Sequence, residues 1–418
     1  MKAHFSRFLE SDPDRLHVAA HSHHPWPDVS FEAQQRAWLD AAELHDRKWD
    51  KVFGEVIPAF QGHVARRLGL PDPATVTVAP NTHSLVVRLL SCLPTPTRIL
   101  TTDTEFHSFD RQSRRLEEDA LAAVTRVPLE PFATFPQRFG DVLTGGGHDL
   151  VFLSHVPFDS ACIVPDLAGL VAAVPDDETF VMIDGYHGFM AVPTDLSTIA
   201  DRSFYLAGGY KYAMAGEGAV FMHCPPGYGE RPVDTGWYAG FWELEERGGA
   251  APRGGEAGPD GGGAPDQTAA QDGGRETQAG GREQVAYGTG GARFLGATFD
   301  PSGLYRFNAV QTWLDAVGLD VTGIHSHVRA LQEQFLQGLE EAGLGALPAD
   351  RLVPGRREVA DRGHFLAFAV PDAAGLDAAL AERGVVVDHR GDRIRFGFGI
   401  YHDAADVDAL LVRLATLT

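Results

Sequence analysis

Cysteine is scarce: Cys92, Cys162 and Cys224 are the only three in 418 residues. Far apart and odd in number, they make no disulfide framework and fit a reducing compartment. Long apolar runs are missing as well, none reaching the roughly 18 residues that cross a bilayer. The opening Met1-Lys2-Ala3-His4-Phe5-Ser6-Arg7 leads into charged sequence, not into the apolar region of a signal peptide. Basic residues are outnumbered, with 35 Lys+Arg against 57 Asp+Glu and a net charge of −22. Such a polyanion repels nucleic-acid phosphates and acidic membrane surfaces. The densest basic cluster, Arg111 to Arg115, runs straight into Glu117, Glu118 and Asp119. No Gly-x-Gly-x-x-Gly follows the first strand and no Gly-Lys-Ser/Thr loop occurs, so the common nucleotide cradles are absent. The expectation is a cytoplasmic globular protein that partners neither nucleic acid nor membrane.

What is present is alternation. Apolar positions at helical spacing span about 30–46 and 51–68, ending near Gly69 and Pro71. Short apolar runs follow at Thr75–Ala79, Arg98–Thr102, Ala122–Val127, Leu150–Ser154, Phe180–Ile183, Phe204–Ala207 and Ala219–His223. Helical stretches at Ser84–Cys92, Ser108–Asp119 and Leu167–Val174 lie between them. Strands separated by helices imply crossovers and a mostly parallel sheet covered on both faces. Ligands in such sheets bind at the carboxyl ends of the strands. Helices at Leu304–Val317 and Gly323–Glu341 and a β-α-β-β-α pattern from His364 to Leu417 make a small C-terminal α/β domain. Between the two halves, 247–283 holds 12 glycines and no Ile, Leu, Val, Met or aromatic residue. Unable to bury apolar surface, it reads as a flexible surface insertion. The division expected is an N-terminal segment, 1–46, packing with the small domain, a large domain, 47–303, and a small domain, 304–418.

Three stretches carry candidate chemistry. Lys211 sits in the glycine-rich turn Ala207-Gly-Gly-Tyr-Lys-Tyr-Ala between two apolar strands. A buried lysine sheds its proton and can form an imine with an aldehyde; an ordinary exposed turn lysine is the alternative. Val181-Met-Ile-Asp184-Gly-Tyr-His187 ends a buried strand in a carboxylate that can keep a heteroaromatic nitrogen protonated, or can simply cap the turn. Ala79-Pro-Asn81-Thr82-His83-Ser84 leads a strand into a helix N-terminus, which suits an anion or only a helix cap. An imine-forming lysine, a ring-nitrogen partner and a phosphate cradle are the three things pyridoxal phosphate needs. His21, His23 and His24 leave a metal, a substrate-facing loop or a plain turn open, although metal sites usually draw ligands from separated segments. No metal is assigned.

These motifs resemble those of fold-type I pyridoxal-phosphate enzymes of the class V aminotransferase family, in its kynureninase-like branch. There an Asp-x-x-His or Asp-x-x-Gln precedes the Schiff-base lysine by about two dozen residues; here Asp184 and His187 precede Lys211 by 27 and 24. Gly209-Tyr210-Lys211-Tyr212 is similar to the kynureninase Ser-Tyr-Lys-Tyr, and Thr235-Gly236-Trp237 to its Gly-Trp turn. The resemblance runs from about Leu16 to Leu417. It implies the aspartate-aminotransferase-like fold, a large domain with a mostly parallel seven-stranded sheet and a small α/β domain. The cofactor would be pyridoxal 5'-phosphate. Lys211 would bind its aldehyde and shuttle the substrate Cα proton, Asp184 would hold the pyridinium proton, and His187 would lie near the ring hydroxyl. Asn81, Thr82, His83 and Tyr210 would serve the phosphate, and Phe106, with His107 as fallback, would stack on the ring. Thr298, in Arg293-Phe-Leu-Gly-Ala-Thr, would touch the phosphate of a neighbouring subunit, which implies a homodimer with shared active sites. Arg395, in Arg393-Ile-Arg-Phe-Gly, would grip the carboxylate of an amino acid substrate.

The departures fall around the substrate. The family's Asp three residues beyond the stacking Phe is replaced by Phe109, and Ser154-His155-Val156 lacks the Asn that follows it in kynureninases. The N-terminal Asn-Ser-Leu-Gly becomes Ala20-His21-Ser22-His23-His24, and no cysteine follows Cys224 for a desulfurase. Transamination is therefore the expected reaction. A kynureninase-like hydrolysis of a β–γ carbon bond is the alternative, and a non-catalytic binding protein that retains the fold is the rival of another class.

Overall fold

The computed structural model describes residues 1–241 and 284–417, so the glycine-rich stretch 247–283 lies outside the described residues. The chain begins with a short strand, β1 (Leu16–His17), and the long helix Val29–Leu44. Seven strands then form the main sheet: β2 (Val76–Ala79), β3 (Thr97–Thr102), β4 (Ala122–Val127), β5 (Leu150–Ser154), β6 (Phe180–Asp184), β7 (Phe204–Gly208) and β8 (Val220–His223). Their order is β2-β8-β7-β6-β5-β3-β4, with β8 running opposite to the other six. The expected mostly parallel seven-stranded sheet is the one observed.

Near-continuous apolar strands are what a sheet buried on both faces requires. Along β6, Val181 and Ile183 pack into one apolar cluster while Met182 packs into another on the opposite face. β5 repeats this, Val151 and Leu153 against Leu150 and Phe152. Side chains alternate along a strand, so one short sequence feeds two cores. The helix Ile57–Leu68 stops at Gly69, whose φ of +67° suits glycine.

A second sheet follows. β9 (Leu352–Val353), β10 (Phe365–Ala369), β12 (Asp388–Arg390) and β13 (Arg393–Gly397) pair antiparallel in the order β12-β13-β10-β9. The helices Val321–Ala342 and Ala404–Ala415 contribute to its apolar core. The strand between, β11 (Val385–Val386), leaves this sheet and pairs parallel with β1. Leu16 and Val18 thus belong to the C-terminal core, and the chain beyond them bridges Gly397 through Ala19 and reaches the Tyr210 carbonyl, just past β7, through the His24 amide.

Several elements differ from the sequence expectation. The run 51–68 is broken by a π-turn at Val52–Val56. The helix Phe135–Thr144 was not anticipated, although Phe135, Phe139 and Leu143 at i, i+4 and i+8 form its buried stripe. The expected strand Val385–Asp388 divides into β11 and β12, which serve different partners. No helix among the described residues is long and apolar enough to cross a membrane.

Candidate active site

Five strand ends converge on one place. β2 leads to Thr82, β3 to Phe106, β5 to Ser154, Val156 and Phe158, β6 to Asp184, Tyr186 and His187, and β7 to Tyr210 and Lys211; all of these line one cavity of about 30 Å³. A neighbouring cavity of about 20 Å³ shares Thr82, Phe106 and Asp184 and adds His83 and Ser108. Glycine makes the convergence possible. A Cβ on Gly185 would lie 2.0 Å from the Tyr205 ring, and one on Gly208 would lie 2.2 Å from the Tyr186 hydroxyl.

Lys211 is 6% exposed, and its Nζ shares a hydrogen bond with His187 Nε2. Burial, with the Arg395 charge second, lowers its amine to about 7, against the opposing pull of Asp184 and Asp388. Rings surround the nitrogen: Tyr186 at 5.4 Å, Phe106 at 5.6 Å and Tyr210 at 5.7 Å from ring centre. His187 is pushed well below the ordinary histidine range by burial and by Lys211 and Arg395, so it is neutral. Asp184 ends β6 one strand over from β7, its backbone fixed by the His155 amide, which donates to its carbonyl at 2.9 Å. Burial raises its carboxyl to about 6, although the Tyr186 amide donates to Oδ1 at 2.9 Å and pulls the other way. An amine lowered toward neutrality thus stands beside a carboxyl raised toward it.

The anion-cradle residues separate. Thr82 lines both cavities and His83 the smaller. Asn81 is exposed and its side chain caps the helix Thr82–Leu90, taking the Ser84 amide at 2.9 Å and the Ser84 hydroxyl at 3.0 Å. It lines neither cavity. Phe106 lines both cavities, whereas His107 lines neither and packs on Phe158 at 5.0 Å. Thr298 lies on an exposed loop and does not line the Lys211 cavity.

Arg395 is 3% exposed and stands near enough for its charge to act on Lys211, while Arg393 reaches out to Glu130 at 2.8 Å. The three histidines lie outside the lining of the Lys211 cavity and pack on neighbouring aromatic rings. His21 stacks on Phe365 at 4.8 Å and bonds Asp388 Oδ1 at 2.7 Å, and His23 stacks on Tyr210 at 5.3 Å. His24 meets the edge of Tyr401 at 5.0 Å. No group of three His, Cys, Asp or Glu side chains among the described residues is arranged to hold a metal.

Sequence reasoning missed Glu105 and Asp388. Glu105, 4% exposed, accepts from Ser154 Oγ at 2.6 Å and Thr102 Oγ1 at 2.7 Å, and burial lifts it to about 7. Its signal was its place at the end of β3, beside the ring-stacking position. A much larger cavity, about 590 Å³, lies elsewhere, by the amino ends of β2 and β7. His223 and Arg293 line it, but each is already committed to protein oxygens.

Comparison with known proteins supplies independent findings. Residues 324–414 match the family model of the kynureninase C-terminal domain. No curated protein matches by sequence. Among solved structures, C-DES with glycine covalently linked to its PLP cofactor is 16% identical, superposes with a TM-score of 0.76, and covers 98% of each chain. An apo cysteine desulfurase from Thermococcus onnurineus NA1 is 16% identical with a TM-score of 0.70, covering 97% of this chain and 95% of its own. The Escherichia coli cysteine desulfurase CsdA is 17% identical with a TM-score of 0.70, covering 99% and 96%. The chain has the fold of these proteins.

Proposed function

We propose that the chain is a pyridoxal 5'-phosphate-dependent enzyme acting on an amino acid. The observation that carries this reading is Lys211: a buried lysine whose amine is lowered to about 7, one strand from a carboxyl raised to about 6. The rest of the donor set fits the cofactor. Lys211 would hold its aldehyde carbon, Asp184 its ring nitrogen, Phe106 one ring face, and Thr82 with the helix amides its phosphate, with His83 and Tyr210 at the margin. When bound, the cofactor supplies an electron sink for the charge left at Cα by proton loss.

The chain's own residues do the remaining work. Lys211, its amine lowered to about 7 and so readily freed of its proton, is the base for the Cα proton. His187 orients Nζ through its hydrogen bond and, being neutral, does not compete for charge. Asp184 keeps a proton on the ring nitrogen, and Arg395 receives the substrate carboxylate. Thr298, on its exposed loop, would complete the phosphate site of a second copy, making the protein a homodimer.

Transamination remains the reading suggested by the departures in the sequence. Cleavage at the substrate side chain is the second reading, favoured by the kynureninase domain match and by the likeness to the cystine C-S lyase C-DES. A thiol-dependent desulfurase is disfavoured, because Cys92, Cys162 and Cys224 are all raised by burial, to about 12, 11 and 12, and none lines the Lys211 cavity. The test is borohydride reduction of protein incubated with pyridoxal 5'-phosphate, followed by mass mapping. Pyridoxyl mass on the Lys211 peptide, absent in Lys211→Ala, is the expected result. A protein that stays colourless and unlabelled would establish the non-catalytic rival. A panel of L-amino acids including L-kynurenine and L-cystine, with and without a 2-oxo acid, then separates transamination from cleavage.

A further inference from the structure

Arg395 does not stand free. Asp388 lies directly opposite it in the β12–β13 register. Arg395 Nε donates to Asp388 Oδ1 at 2.8 Å, Nη2 donates to Oδ2, and Nη1 donates to the Phe158 carbonyl. A guanidinium has five N–H donors; with these three engaged, one remains on each terminal nitrogen. Asp388 thus occupies the Nε/Nη2 edge, and the donors it leaves over belong to Nη1 and Nη2, the two nitrogens that a second carboxylate meets end-on. Phe158 also lines the Lys211 cavity, and the Arg395 guanidinium lies 5.9 Å from its ring centre and 5.5 Å from that of Phe365.

Resting on the reading that Arg395 receives the substrate carboxylate, we propose that Asp388 is the positioning residue for that recognition. It holds one edge of the guanidinium so that the other edge faces the carboxylate of an amino acid, and His21 locks Asp388 in turn. A substrate that displaced Asp388 instead would have to break two anchors. His21, 0% exposed, bonds Asp388 Oδ1 at 2.7 Å, and its ring is pinned between Phe365 and Gly397, where an added Cβ would meet Nδ1 at 2.2 Å. Removing Asp388 from both partners would strand buried polar groups, which is the costlier course. Burial alone would raise the Asp388 carboxyl, but His21 and Arg395 outweigh it and hold it well below the usual range, so the clamp is ionised. The arrangement selects amines that carry a free carboxylate over those that lack one.

The test loads the protein with pyridoxal 5'-phosphate and titrates L-alanine and ethylamine by visible absorption. Asp388→Asn is expected to weaken L-alanine at least about tenfold while ethylamine stays within about twofold of wild type. Equal weakening of both probes would overturn the proposal, because Asp388 would then only hold the wall together. Arg395→Lys separates the two assignments. If it leaves L-alanine binding unchanged, the fault lies in the role of Arg395. If it weakens L-alanine and Asp388→Asn does not, the fault lies in Asp388 alone. A second readout needs no cofactor: in 15N-arginine-labelled protein the Nη signals of Arg395 stay resolved in wild type and merge in Asp388→Asn, whereas persistent resolution counts against the clamp. Should Asp388→Asn not fold, Asp388→Glu, which keeps the charge but shifts the carboxylate, is expected to show the same selective loss of L-alanine.

Discussion

The two ends of the main sheet carry cavities of opposite character. At the amino ends the space is large, about 590 Å³, yet its buried polar groups are satisfied: Arg293 donates to the carbonyls of Pro225 and Tyr228, and His223 is bound to Thr75 and Ala200. At the carboxyl ends the space is about 30 Å³, yet Lys211, Asp184 and Glu105 are all moved far from their ordinary ionisation. Perturbed groups gathered from several strand ends point to a candidate site more strongly than volume does. Satisfied polar groups around a large cavity mark stability.

That contrast can be broken by mutation. The largest effect expected is at the carboxyl end: Asp184→Asn slows exchange of the L-alanine Cα proton for deuterium, followed by NMR on the loaded protein, by about 100-fold. Unchanged exchange would remove Asp184 from the chemistry. Next in size is a pH effect. Because the Lys211 amine is lowered to about 7, it is largely protonated below that pH and neutral above it. Capture of pyridoxal 5'-phosphate by unloaded protein should therefore be about tenfold faster at pH 8 than at pH 6. A rate that climbs only near pH 10 would return the amine to the ordinary range. The smallest effect belongs to the amino end. Arg293→Met leaves buried carbonyls without their donor, costs about 1–3 kcal/mol and lowers Tm by a few degrees. Capture at Lys211 should not change, and a variant that lost it with its fold intact would dissolve the distinction between the two ends.

Much of this was legible in the residues. The seven strands appear within one residue of their expected ends, because apolar runs bounded by turns have little else to become in a covered sheet. Asp184 and Lys211 were legible because a charged side chain at the end of such a run needs a reason to be there. Asn81 was ambiguous, since the same side chain caps a helix whether or not an anion sits beyond it. Asp388 was not legible, because only the pairing of β12 with β13 brings it opposite Arg395. Nor was the division of Val385–Asp388, which depends on a partner strand at the other end of the chain.

That pairing of β1 with β11 bears on how the protein is made. His17 and Tyr401, 384 positions apart, hydrogen-bond across the same seam. The segment carrying His21, His23 and His24 hangs from strands that leave the ribosome at opposite ends of synthesis, and it reaches Asp388 and Tyr210. The main sheet can form while translation continues, but the pocket around Lys211 closes only after the final strands have emerged. A nascent chain therefore carries a finished floor and an open front, and Asp388 meets Arg395 only as the last act of folding.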